Sequence, residues 1–159
     1  MQNERNFLAL AVSIALAFGA AALGTLATTP NIEGWYGGLA KPSWTPPNAL
    51  FGPVWTALYL LMAVAAWGVW RAPRGPDRTR ALGLYGVQLA LNALWSPVFF
   101  GAHQLLGGLV VIGLLLVALA LTVRAFFRVR RFAGALLVPY LAWVAYATAL
   151  NAAIWRLNP

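Results

Sequence analysis

Five apolar runs of about twenty residues, over 7–28, 51–70, 81–100, 105–127 and 132–154, are separated by short polar or proline-rich breaks. As helices rising roughly 1.5 Å per residue, each is long enough to cross a hydrocarbon core about 30 Å thick. The pattern predicts an all-α membrane protein, a bundle of five transmembrane helices forming one domain over residues 1–159. The breaks differ in character. Arg71–Arg80 and Arg128–Arg131 are basic turns, and Ala102-His103-Gln104 is short enough to make its flanking spans antiparallel neighbours. The stretch from Leu39 to Thr56 instead packs four prolines and two tryptophans between two apolar runs. Each proline fixes its own φ and pushes the preceding residue out of the helical region. Lys41–Pro47 is therefore expected to be an ordered, extended or turning segment. It reads either as a lid or docking surface at the membrane face, or as an interfacial Trp and Lys anchor.

The first span is expected to be retained, because it is longer than a signal-peptide core and its one basic neighbour, Arg5, sits beside Glu4. Ala15, Gly19, Ala20 and Gly24 supply small residues for close helix packing. The second span is entered through Pro53, expected in its first turn, where a missing N–H costs nothing. Arg124 lies near enough to the end of the fourth span to snorkel.

Composition fits this picture: 62% of the 159 residues are hydrophobic and 9% charged, more apolar surface than a soluble core of this size hides. The net charge of +8 looks like a nucleic-acid signature, but most of the arginines flank apolar runs and so belong to topology, not to nucleic-acid binding. Arg5, Arg71, Arg74, Arg78, Arg80, Arg128, Arg130 and Arg131 fall on one side of a five-span chain, and little more than Lys41 and Arg156 on the other. The positive-inside rule then places the N-terminus in the cytoplasm and the Pro/Trp loop opposite. With no cysteine, disulfides, thiolate metal sites and thiol nucleophiles are excluded.

Three spans carry polar or aromatic stripes. Gln88, Asn92, Trp95 and Phe99 recur at helical spacing in the third, Tyr140, Trp143, Ala147 and Asn151 in the fifth, and Trp55, Tyr59 and Met62 in the second. An amide cannot face lipid without a partner, so Gln88 and Asn92 should point into the bundle, where they either join helices or meet a ligand. Chain direction puts Trp55, Asn92, Trp95 and Asn151 in the half of the membrane nearest the Pro/Trp loop, with Trp143 just below. This predicts a polar-rimmed aromatic cavity beneath that loop, suited to a flat, largely apolar ligand. Apart from Arg124, no span holds an ionisable Asp, Glu, Lys, Arg or His, so a proton relay or ion-coupled carrier lacks its groups. His103 reads as a plain loop residue rather than a metal ligand. No carboxylate pair, nucleophile with a base, or phosphate loop is visible.

Trp35-Tyr36, Lys41–Pro47, Pro53–Thr56, Asn92–Gly101 and Pro139–Asn151 occur in order, and together they resemble the TspO/MBR family of tryptophan-rich sensory proteins and mitochondrial translocator proteins. The resemblance covers nearly the whole chain. It implies a five-helix membrane protein, often a homodimer, that needs no cofactor and binds tetrapyrroles such as protoporphyrin IX or haem, and in some members sterols or benzodiazepine-type drugs. It further implies Tyr36 and Trp44 in a lid, Trp55 and Asn92 in the pocket wall and Trp143 in its floor, with Tyr59, Trp95 and Ala147 close by. One departure concerns sterol: Tyr146 is followed by no basic residue until Arg156, so the short cholesterol-recognition pattern is absent.

The resulting expectation is a porphyrin receptor or transporter acting in sensing or transport. The alternatives are light- and oxygen-driven degradation of bound porphyrin, and a regulatory interaction protein. The Ala-, Leu- and Arg-rich composition hints at a bacterial source. Gly83, Gly86, Ala90 and Ala93, roughly opposite the Gln88/Asn92 stripe, form the expected dimer face.

Overall fold

The computed structural model describes residues 2–159, and these form helices joined by short connections. The helices are α1 (Gln2–Thr28), α2 (Trp35–Gly38), α3 (Asn48–Trp70), α4 (Pro76–Ser96), α5 (Leu105–Val129) and α6 (Arg131–Leu157). The all-α class stands, while the count differs from expectation. A sixth helix, α2, is a single turn inside the first loop, too short to show in hydrophobic periodicity. Four helices, α1, α3, α5 and α6, are long and apolar enough to cross a membrane by length and composition. The helix holding the expected third span, α4, falls short because Asp77, Arg78 and Arg80 occupy its start and Gln88 and Asn92 its middle. Those two amides are buried among the other helices, which is how an apolar setting tolerates them.

The five long helices close into a ring in which α1 packs on α3, α3 on α6, α6 on α5, α5 on α4, and α4 on α1. Small residues set these approaches, although not all those expected. On α1, Ala17 and Ala20 are buried and Gly24 lies beside Ser96, whereas Ala15 and Gly19 face outward. The expected set of four thus splits between two faces. Arg130 alone makes the reversal between α5 and α6, in an extended conformation, and Gly134 in the first turn of α6 gives the Phe127 ring its place. A Cβ there would stand 2.5 Å from the Phe127 ring.

Several helix ends move outward from their predicted positions. Pro76 follows Gly75 as the first helical residue and Asp77 lies in the first turn, so α4 absorbs half of the basic turn expected at Arg71–Arg80. The basic turn at Arg128–Arg131 shrinks to Arg130 for the same kind of reason: the helices on either side run into it. Helix α3 begins at Asn48, so Pro53 sits in its second turn rather than its first. At the other end of α4 the chain widens into a π turn over Pro97–Gly101, closed by Ala102 N–H donating to Pro97 O at 2.8 Å. This turn buries Phe99 and Phe100 beneath the first loop.

Candidate functional site

The first loop is a fastened roof. Its prolines hold residues 39–47 out of helical conformation. Lys41 then turns back and donates from Nζ to the carbonyls of Tyr36 (2.7 Å), Gly37 (3.1 Å) and Leu39 (3.0 Å). The cation complements the carbonyl end of α2, adding to the Leu39 N–H that Tyr36 O already accepts and reaching the Leu39 carbonyl just beyond the helix. The same ammonium lies 4.8 Å from the centre of the Tyr36 ring. Three further attachments tie the loop to the bundle. Asn158 exchanges two hydrogen bonds with the Ala40 backbone, at 3.0 and 2.9 Å. Tyr146 Oη donates to Trp44 O at 2.7 Å. His103, in the left-handed conformation at φ 55°, stacks on Trp35 at 4.4 Å and meets Asn31 Oδ1 at 2.9 Å. His103 is therefore a structural fastener. Burial raises the Tyr36 phenol above its ordinary pKa, with the nearby Tyr146 adding to the effect, so Tyr36 stays neutral at physiological pH.

Beneath this roof, between α1, α3 and α4, lies a cavity of about 700 Å³. Its walls include Tyr36, Phe51, Trp55, Trp95 and Phe100, with Tyr59 and Asn92 deeper in. Trp55 is the hinge of the aromatic wall, with ring centres 5.6 Å from Tyr59, 6.2 Å from Tyr140 and 6.5 Å from Trp95. Offset and tilted rings at these separations attract one another and leave flat apolar faces for a ligand. None of the described residues lining the cavity is charged.

The deep end is held by a directed chain of hydrogen bonds. Tyr59 Oη donates to Asn92 Oδ1 (2.6 Å), Asn92 Nδ2 to Tyr140 Oη (2.8 Å), and Tyr140 Oη to Gln88 Oε1 (3.0 Å). The stripes of α3, α4 and α6 meet here, so Asn92 joins three helices and lines the cavity as well. Its amide keeps a second N–H beyond the one given to Tyr140. Trp95 Nε1 donates to Asn151 Oδ1 at 3.3 Å, which ties the wall to α6 a second time.

Of the eight residues singled out from sequence, Tyr36, Trp55, Tyr59, Asn92 and Trp95 line this cavity. Trp44, Trp143 and Ala147 are not among its walls. Trp44 is half exposed and packs on Tyr146 at 5.6 Å. Trp143 lies behind Phe51, 6.2 Å away, and its Nε1 is buried with no hydrogen-bond partner among the described residues. Ala147 is buried in α6, where its carbonyl accepts from Asn151. Sequence reasoning missed the contribution of α1, whose Phe18, Ala21, Thr25 and Thr28 form one side of the cavity. Their three- and four-residue spacing was the available signal, hidden in a helix that is apolar all round. It also missed Asn48, Gly52 and Thr56, spaced by four along α3.

Residues 11–156 match the TspO/MBR family. The chain belongs to that family. Among curated relatives, the Translocator protein of Homo sapiens is 48% identical over 128 residues, covering 78% of this chain and 75% of its own length. Protein CrtK of Rhodobacter capsulatus is 44% identical over 126 residues, 79% of each chain. The tryptophan-rich protein TspO of Chlorobaculum tepidum is 43% identical over 160 residues, 100% of both. Family membership and the apolar helices make this an integral, multi-pass membrane protein. The relatives bear translocator and sensory names, and membership supports a membrane receptor or sensor role.

Proposed function

We propose that this protein is a porphyrin receptor or transporter that holds a tetrapyrrole such as protoporphyrin IX or haem in the cavity under the first loop. One observation carries the reading: an uncharged cavity of about 700 Å³ pairs flat aromatic walls with a fixed amide at its deep end. A macrocycle stacks on Trp55 and Trp95, and the second N–H of Asn92 meets an acceptor on its edge. Because no cation lines the cavity, the carboxylates of such a ligand stay toward the mouth, at headgroup level. The N-terminus lies in the cytoplasm on this reading, and the loop faces the opposite compartment.

The test is a titration of purified protein with protoporphyrin IX, following tryptophan quenching in the wild type and in Trp55→Phe and Asn92→Ala variants. Saturable binding should weaken about tenfold in Asn92→Ala, as for loss of a good buried hydrogen bond. Equal affinity in folded variants would remove the ligand from this cavity.

A further inference from the structure

The cavity is closed above and open at the side. Its roof is attached at Ala40 to Asn158 just past α6, at Trp44 to Tyr146 of α6, and at Asn31 and Trp35 to His103 in the α4–α5 connection. Each such hydrogen bond contributes about 1 kcal/mol, and together they oppose lifting the loop. No comparable fastening crosses from α1 to α3 along the cavity among the described hydrogen bonds. There, Ala22, Thr25 and Leu26 on α1 and Asn48, Gly52 and Thr56 on α3 line the cavity and are also exposed on the outer surface. Leu26 is 74% exposed, which a side chain facing only an enclosed space cannot be. These residues are therefore the two rims of a slot into the cavity.

The chemistry of the rims changes with depth. Asn48 stands at the start of α3, at the membrane-surface end, and leaves an amide there. One and two turns further in, Gly52 has no side chain and Thr56 donates its hydroxyl to Gly52 O at 2.9 Å. Opposite them, Thr25 donates to Ala21 O at 3.0 Å. Both threonines have spent their protons on their own helices and turn less polar surface to the opening. The slot is thus polar at headgroup level and nearly apolar below. This gradient matches that of a lipid leaflet.

We infer that the cavity is loaded sideways, from the leaflet on the first-loop side, through the slot between α1 and α3. Its ligand is a membrane-dissolved amphiphile that slides in with its polar end at Asn48 and its flat apolar body passing Gly52 and Thr56. The identity of that ligand rests on the porphyrin reading above; the route does not.

The absence of native cysteine allows a test that needs no ligand. Ser96→Cys places one thiol on the inner wall of the cavity. In vesicles, an uncharged maleimide dissolved in the lipid should label it about ten times faster than a charged, water-confined maleimide. Gly52→Phe in the same background should slow the lipid-borne reagent about tenfold. A Cβ added at Gly52 meets nothing within 4 Å, so the new side chain leaves the backbone into open space, and Thr56→Phe provides an independent obstruction. Loosening the roof with Asn158→Ala or Tyr146→Phe should leave labelling unchanged. Equal labelling by the charged reagent, faster labelling after the roof is loosened, or no labelling by either reagent would overturn the lateral route. Failure of porphyrin to bind, with labelling as expected, would count against the proposed ligand alone.

Discussion

Asn92 Nδ2 lies 2.8 Å from the hydroxyl of Tyr140, a side chain with 0% exposure, so a residue of the cavity wall is tied to the deepest part of the bundle. Tyr140→Phe removes the hydroxyl that accepts from Asn92 and donates to Gln88, leaving both amides short of a partner while the cavity walls stay in place. Hydrogen bonds inside membrane proteins contribute about 0.6–2 kcal/mol each, so the variant should unfold at lower temperature. Asn92→Ala should show the same loss together with weaker porphyrin binding. Thermal unfolding in detergent, set beside the titration, separates the two effects. An unshifted midpoint in Tyr140→Phe would deny the network its structural role.

Gly134 and Gly52 should respond in opposite ways. A Cβ on Gly134 would meet the Phe127 ring at 2.5 Å, so that ring, 40% exposed, must swing outward from its place against α6. Gly134→Ala should cost about 1–3 kcal/mol by overpacking. Gly52→Ala meets nothing and gains helix propensity, so stability should hold or rise by up to about 1 kcal/mol. Thermal inactivation of the two variants checks the contrast.

Lys41→Met keeps an apolar stem but loses three donated hydrogen bonds to the end of α2. Bonds from a charged donor contribute about 1.5–3 kcal/mol. The first loop should become more sensitive to limited proteolysis in vesicles, with the helices uncut. Cleavage at the wild-type rate would show that the remaining fasteners suffice.

Gly83, Gly86 and Ala90 lie on the outer face of α4, and a Cβ on either glycine would touch nothing of its own chain. A homodimer of the kind the family resemblance implies would use this small-residue face for close helix approach. Gly86→Leu and Ala90→Leu should then yield monomer in mild detergent. An unchanged oligomer by light scattering would refute the face.

Much of this arrangement was legible without coordinates, for a physical reason. In hydrocarbon every backbone group must be satisfied within its own segment, so an apolar run of sufficient length is a helix wherever it packs. The period of the helix then places Gln88, Asn92 and Trp95 on one side, and lipid rejects an unpaired amide, so the inward direction of that stripe followed as well. Local chemistry at helix ends was less legible: Pro76 and Asp77 start α4 earlier than hydropathy does.

What required the tertiary structure was the choice of partner for each inward residue. Periodicity made Trp55 and Trp143 equally good candidates for a ligand wall, yet the ring order of the helices puts Phe51 between Trp143 and the cavity. It also makes α1 a wall, which an evenly apolar sequence gives no face to predict. The fastening of the loop by Asn158, Tyr146 and His103 depends on residues 72–118 positions away from their partners. Such contacts leave no local pattern, because they depend on which distant segments the fold brings together rather than on what lies beside each residue.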